Sequence, residues 1–426
     1  MAAISYGHSR RHDDISRWRD ETSGQERPLT FLDYKIADIL LAAVVVAMPF
    51  CTLLDYLVFH GLAIAGLSAC NFIFSVALAV CTLLNIATPS RRGDLFLLAG
   101  VLLFATMLAK MVLQPLGDLS TWLSGHEYYL LVPLFGFCCA NVSDRHAPDL
   151  IGILLAGSLP VCVLSLYFFV TNDYLGMVSH EIMLAYDVVG MPFARMMGTF
   201  GSPNVAGSYF AVLLFLDLQR AATLRGVALF RRGLLAVCLL LTFSRMAIIG
   251  FLIAEVVFFL RKRKSQSGKV GFNAARVLVA IAGVLAIFAL FASLSGHGLY
   301  FFDLTNEDAT NNLRFYKWAA FLQNGADAIL LGDPIGSSYT YNGFTLSDNS
   351  FLCSIASFGL VVACAYWTLL FLGFKGNWRG EGVVAPLLMI LVFLILSDFV
   401  QLFPSCYCAV LLLLTSSSNH CKEGMS

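Results

Sequence analysis

RGVALFRRGLLAVCLLLTFSRMAIIGFLIAEVVFFLRKRK, residues 225–264, decides the fold. Two apolar runs, 227–243 and 246–260, are separated only by Ser244 and Arg245. Basic residues fence both far ends, with Arg225 before the pair, Arg231 and Arg232 in the opening turns of the first run, and Arg261 to Lys264 after the second. A helix crosses a bilayer with about 20 predominantly apolar residues, and Lys and Arg collect in cytoplasmic loops. The stretch reads as a membrane-spanning helical hairpin, its ends in the cytoplasm and its tight turn on the opposite face.

The pattern repeats outward from there. The chain has 426 residues, 58% hydrophobic and 13% charged, with a mean hydropathy of +0.78. Soluble domains carry roughly 25% charged residues. Further spans are expected near 36–58, 62–87, 94–113, 126–141, 149–171, 204–219, 276–294, 350–372, 383–401 and 403–416. The sum is an all-α polytopic integral membrane protein of about 12 transmembrane helices. Residues 36–416 form one transmembrane domain between two cytoplasmic tails, 1–35 and 417–426. The first tail, with Arg10, Arg11, Arg17, Arg19 and Arg27, is too long and charged for the start of a cleaved signal and reads as disordered.

Charge orients the protein. Of the 27 Lys and Arg residues, all but five lie in connections on one side of the membrane. Lys110 lies inside a span, near its outer end. Arg195, Arg245, Arg314 and Lys317 sit on the side that translocated loops normally keep free of cations, so they are candidates for binding an anion. Both termini are placed in the cytoplasm. The zero net charge and the lack of a basic stripe interleaved with aromatics exclude nucleic acid. The twelve cysteines form no framework and no CxxC pair, and most lie in apolar runs as small hydrophobes. No metal and no cofactor is called for.

Two outer loops are long, about 172–203 and 295–349, a length that marks functional segments. In the second, Asn311 to Leu322 reads as an amphipathic surface helix. Phe315, Trp318, Ala319 and Leu322 fall on one face, and Arg314 and Lys317 on another. LLGDPIG, 330–336, then supplies turn residues.

Three constellations can carry chemistry. In GTFGSPNVAGSYFAVLLFL, 198–216, the chain breaks just before a span. Asn204 reads as the helix N-cap, and the same helix start can hold an anion, with Arg195 just upstream. At 244–245, a lone Arg at a helix end can snorkel, but so tight an interruption on the cation-poor face points to function. In the second loop, Arg314 and Lys317 precede Asp348-Asn349. The planar fork of Arg suits phosphate, and Lys317 also reads as a solvated surface charge. Asp348 can serve as a general base or cap the span beginning near Ser350. Glu255 and Asp398 lie inside spans and need partners, most simply within the fold. Asp55 and His60 flank a tight outer turn, and His126, His180 and His297 fall in no motif.

The pieces GTFGSPNVAG, LTFSRMAIIG and the ordered run LRFYKWAAFLQNG…LLGDPIG…SDNSFL…FGL, ending near Gly359, resemble the O-antigen polymerase and ligase superfamily over roughly 200–360. These are membrane glycosyltransferases that build bacterial surface polysaccharides. The resemblance implies a glycosyltransferase type-C-like membrane fold in the bacterial inner membrane. It also implies a periplasmic site acting on glycans carried by undecaprenyl pyrophosphate. Arg245 and Arg314 match diphosphate-binding positions, and Arg195, Lys317 and Asn204 are expected beside them. Asp348, Arg245 and Arg314 are the expected catalytic residues. Trp318, Tyr316, Tyr339 and Asn349 are expected against the glycan, although aromatics there also anchor at the interface. Ligases carry a His-Asn pair where this chain has Asp348-Asn349, which leans toward a polymerase. The implied partners are the lipid-linked oligosaccharide, the bilayer, a chain-length regulator and a flippase. The alternatives are a ligase of the same class and a transporter or flippase of an anionic substrate, which would bind near mid-membrane on broken helices.

Overall fold

The computed structural model describes residues 35–64, 67–86, 90–113, 119–142, 147–178, 195–220, 226–265, 317–323, 326–332, 340–341, 344–345, 349–375 and 383–415. The expected span at 276–294 lies outside them, as do residues 1–34 and 417–426 of the tails and Arg314, Tyr316, Tyr339 and Asp348. Met1–Ile36 is a unit separate from Ala37–Ser426, and of it only Lys35 and Ile36 are described, both exposed.

A helix overlies every other expected span. In chain order these are α1 (Ile36–Ala47), α2 (Cys51–Leu57), α3 (Ala69–Asn85), α4 (Arg91–Leu113), α5 (Leu119–Asn141), α6 (Ala147–Thr171), α7 (Pro203–Arg220), α8 (Gly226–Leu241) and α9 (Arg245–Ser265). After these come α10 (Ala326–Leu331), α11 (Ser350–Phe358), α12 (Leu360–Lys375), α13 (Val384–Leu396) and α14 (Ser405–Thr415). Ile36–Leu57, Arg92–Lys110 and Leu150–Thr171 are long and apolar enough to cross a membrane. Two short antiparallel hairpins accompany them, β1 (Ala63–Ile64) with β2 (Leu67–Ser68) and β3 (Thr340–Tyr341) with β4 (Phe344–Thr345).

The centre of the bundle is α7, in which every residue from Val205 to Asp217 is buried. Its sequence is apolar on all sides, the mark of an interior helix. Helices α8, α9 and α14 pack around it, and α14 is buried from Ser405 to Leu413. Helix association inside lipid rests on close packing rather than on escape from water. Gly207 shows this: a Cβ there would stand 2.6 Å from the Ser244 Cβ. The glycine lets α7 and the start of α9 approach. At the far end of α7, Asp217 receives both guanidinium arms of Arg231, at 2.6 and 3.1 Å, and Arg232 Nε at 3.4 Å. On the other flank, α4 packs against α5 and α12, and the Phe96 ring meets Phe374 edge-on.

The structure corrects the expected span at 350–372. The chain breaks at Gly359, where φ is +83°, and α11 folds back on α12. The Phe351 and Trp367 rings lie 4.8 Å apart, and Trp367 Nε1 donates to Ser354 Oγ at 2.9 Å. The physical cause is a backbone contact. A Cβ on Gly332 would stand 2.3 Å from the Gly359 nitrogen, and one on Gly359 2.6 Å from the Leu330 oxygen. Lys110 secures the same corner by donating to the Leu331 and Gly332 carbonyls, which are orphan acceptors at the C-terminus of α10.

In the second loop the described part of the expected helix at Asn311–Leu322 is helical, over residues 317–323, and a further helix, α10, follows it where only a turn was expected. Phe321 is the residue buried in the core, whereas Leu322, assigned to the apolar face, is 59% exposed. The packing partner, not the local apolar pattern, chooses the buried face of so short a helix.

Candidate functional site

The tight turn between α8 and α9 is built from its own side chains. Thr242 Oγ1 donates to the Leu239 carbonyl at 2.7 Å and accepts from the Ser244 N–H at 3.2 Å. Phe243 adopts φ +48°, an uncommon conformation for a bulky residue that clusters at functional sites. The Ser244 carbonyl accepts from Ile248 N–H at 3.0 Å, so Ser244 caps α9 and Arg245 is its first residue.

The break before α7 has a similar build, with one correction. The Ser202 carbonyl accepts from Ala206 N–H at 3.0 Å, which puts Ser202, not Asn204, at the N-cap. Pro203 takes the first helical position, where its missing N–H costs nothing. Asn204 is thereby freed for tertiary contacts. Its Oδ1 accepts from Arg195 Nη2 at 3.3 Å and from Ser244 Oγ at 3.3 Å. Arg195 also donates through Nε to the Thr242 carbonyl at 3.0 Å, and Met196 N–H donates to the Leu241 carbonyl at 3.0 Å. Two motifs that the sequence shows 40 residues apart thus form one cluster. Arg195, Asn204 and Ser244 are bonded together, Arg245 follows, and two helices start at the same place. Such an arrangement presents donors and positive dipole ends to an anion.

A second polar cluster lies at the foot of α11. Asn349, not Asp348, is the cap of that helix: its Oδ1 accepts from Leu352 N–H at 3.0 Å. Ser350 Oγ donates to Asp398 Oδ1 at 3.0 Å, and Tyr129 Oη lies 2.9 Å from the same oxygen. Tyr366 Oη donates to the Tyr129 carbonyl at 3.1 Å. Asp398 is only 3% exposed, and its Oδ2 has no hydrogen-bond partner among the described residues. The expectation of partners within the fold is met on one oxygen. Sequence reasoning did not single out Ser350 or Tyr129. Their only signal was position, one residue past Asn349 and two past Glu127.

The two clusters are joined. Residues 397–404 run between them as the break between α13 and α14, with one 3₁₀ turn at Phe399–Gln401. One end bonds Ser350 through the Val400 N–H at 3.4 Å, and the other bonds the Val205 carbonyl through Ser405 Oγ at 2.9 Å. Helices α9 and α13 pack together, and Gly250 is where the Phe393 ring meets the α9 backbone. Lys317 and Trp318 lie half-buried on the helical stretch 317–323.

Comparison with protein-family models finds a match over residues 233–367 to the family described as O-Antigen ligase. Comparison with curated proteins finds no match. The matched stretch holds the turn at 242–244, Arg245, Lys317, α11 and the first half of α12, while Arg195, Asn204 and Asp398 lie outside it. The match supports a likeness to the O-antigen polymerase and ligase superfamily over residues 233–367, a stretch that includes the strained turn with Arg245 and helix α11.

Proposed function

We propose that the protein polymerises a bacterial surface or secreted polysaccharide at the periplasmic face of the inner membrane. The donor is a growing glycan on undecaprenyl pyrophosphate, and the acceptor is a sugar hydroxyl of an incoming lipid-linked repeat unit. The observation that carries this reading is the convergence of Arg195, Asn204, Ser244 and Arg245 at two helix starts. The acceptor oxygen attacks the anomeric carbon, the bond from that carbon to the diphosphate breaks, and its electron pair leaves with the diphosphate. Preorganised arginine and backbone donors stabilise that developing charge. Arg245 and Arg314 are assigned to the diphosphate, with Arg195 holding Asn204 in place and Lys317 adding positive charge. The hydroxyl proton passes to Asp348, and Asp348→Asn is expected to cut turnover by about 10²-fold or more with protein level unchanged. Unchanged turnover removes Asp348 from the chemistry.

A ligase is the second reading, favoured by the description of the matched family. Asp348-Asn349 in place of His-Asn favours the polymerase. Deletion of the gene, with surface and secreted glycans separated by size, distinguishes them. Loss of long polymer while single repeat units persist supports polymerisation. Full-length polymer stranded on its lipid carrier supports ligation, and an unchanged profile overturns both.

A further inference from the structure

The first hairpin of the bundle carries two thiols side by side. Cys51 opens α2 and Cys70 is the second residue of α3, with 18 residues between them. Their thiols hydrogen-bond to each other. Asp55, one turn past Cys51, fixes the pair by accepting from the Cys70 N–H at 2.7 Å. The connection is itself well tied. Gly61 N–H donates to the Asp55 carbonyl at 3.0 Å, β1 pairs with β2, and the Ser68 hydroxyl caps α3. Both cysteines are buried, 4% and 5% exposed, and both are free thiols in this structure.

Their place in the bundle sets them apart. Residues 58–68 contain no Lys or Arg, so the charge asymmetry puts this turn on the periplasmic side, and Cys70 lies within one helical turn of it. A second pair of hydrogen-bonded thiols, Cys81 and Cys138, gives the contrast. Cys81 Sγ donates to the Ala37 carbonyl at 3.6 Å, at the start of α1, the end that the charge pattern places at the cytoplasm. Disulfides form and persist in oxidising compartments such as the bacterial periplasm, whereas cytoplasmic thiols are kept reduced. The two pairs have a similar local build and face opposite compartments.

We infer that Cys51 and Cys70 form a disulfide in the mature protein, made as the hairpin reaches the periplasm and before it packs. The two thiols lose two protons and two electrons, which reduce the disulfide of a periplasmic dithiol oxidase to two thiols. One thiolate of the pair attacks that disulfide. Its neighbour then attacks the mixed disulfide, so that the S–S bond forms and the reduced oxidase leaves. The bridge ties α2 to α3. Pro49, two residues before α2, accepts from Thr199 Oγ1 at 2.8 Å, so the bridge also steadies the segment that leads into α7.

The inference rests on the periplasmic placement of this turn, and its test reads the two separately. The full chain is denatured in N-ethylmaleimide straight from membranes, then reduced and exposed to the deuterated reagent, and its cysteine peptides are weighed. Cys51 and Cys70 are expected to carry the heavy label about ten-fold or more over the light one, and Cys81 and Cys138 the light one. Cys51→Ser is expected to return Cys70 to the light label; a heavy Cys70 in that variant overturns the pairing. Sidedness is read from Leu62→Cys, at a position 53% exposed, with a membrane-impermeant maleimide on spheroplasts before and after lysis. Light labels on Cys51 and Cys70, with position 62 reactive before lysis, overturn the disulfide and leave the topology standing. The same light labels, with position 62 reactive only after lysis, overturn the topology as well.

Discussion

At Asn204 a single side chain changes its meaning once the fold is known. As a helix cap it would satisfy its own helix; with Ser202 in that role, its carbonyl oxygen links Arg195 to Ser244. Arg245 sits one residue beyond, at a helix start that adds partial positive charge to its own. Arg245→Ala and Arg314→Ala are each expected to lower transfer by about 10²–10³-fold with normal protein level; near-normal polymer from either variant removes that residue from the diphosphate site. Asp398 is bonded to Ser350 and Tyr129. Asp398→Asn is expected to cost about 1–3 kcal/mol, read as a lower melting temperature. The same variant shifts α11 and so lowers kcat more than it raises KM, whereas a purely structural role would leave kcat per folded molecule unchanged.

The decisive element is the hairpin of α11 and α12. Its apolar run is continuous enough to read as one span, but Gly359 turns the chain back against Gly332 where no side chain fits. Asn349 and Ser350, at the start of α11, are both buried. Gly359→Ala is expected to destabilise the protein by about 1–3 kcal/mol through its left-handed backbone, detected as a lower thermal midpoint with loss of polymer. Wild-type behaviour would show that the corner tolerates a side chain. The 397–404 break was equally hidden, because hydropathy counts residues and cannot see that Ser397 and Asp398 are held by Ser350 from another helix.

Across the whole molecule, two of the three shortest expected spans, 204–219 and 403–416 but not 126–141, coincide with helices that are buried almost throughout. Helices α7 and α14 are short and carry Asn204, Ser208, Asp217 and Ser405, all of which lower the hydropathy signal. Those polar groups are affordable only because other helices, not lipid, surround them. Asp217, at the end of α7 away from Asn204, separates stability from function. Asp217→Ala leaves Arg231 and Arg232 without their shared carboxylate and is expected to cost about 3 kcal/mol, measured by thermal melting. Activity per folded molecule should persist; its loss would mean that the two ends of α7 are coupled.

The sequence by itself determined that the chain is a bundle of apolar helices and which few cations need explaining. It did so because hydropathy and charge asymmetry are local properties of a chain in a bilayer. It also marked both motifs that meet at Asn204 and Ser244. Only the tertiary structure decided that Ser202 rather than Asn204 caps α7, that α11 turns back at Gly359, and that Ser350 and Tyr129 hold Asp398. The last two depend on contacts between residues far apart in the chain, as do the bonds that Asn204 makes once Ser202 is the cap, and no local pattern encodes which distant partner will take a given hydrogen bond.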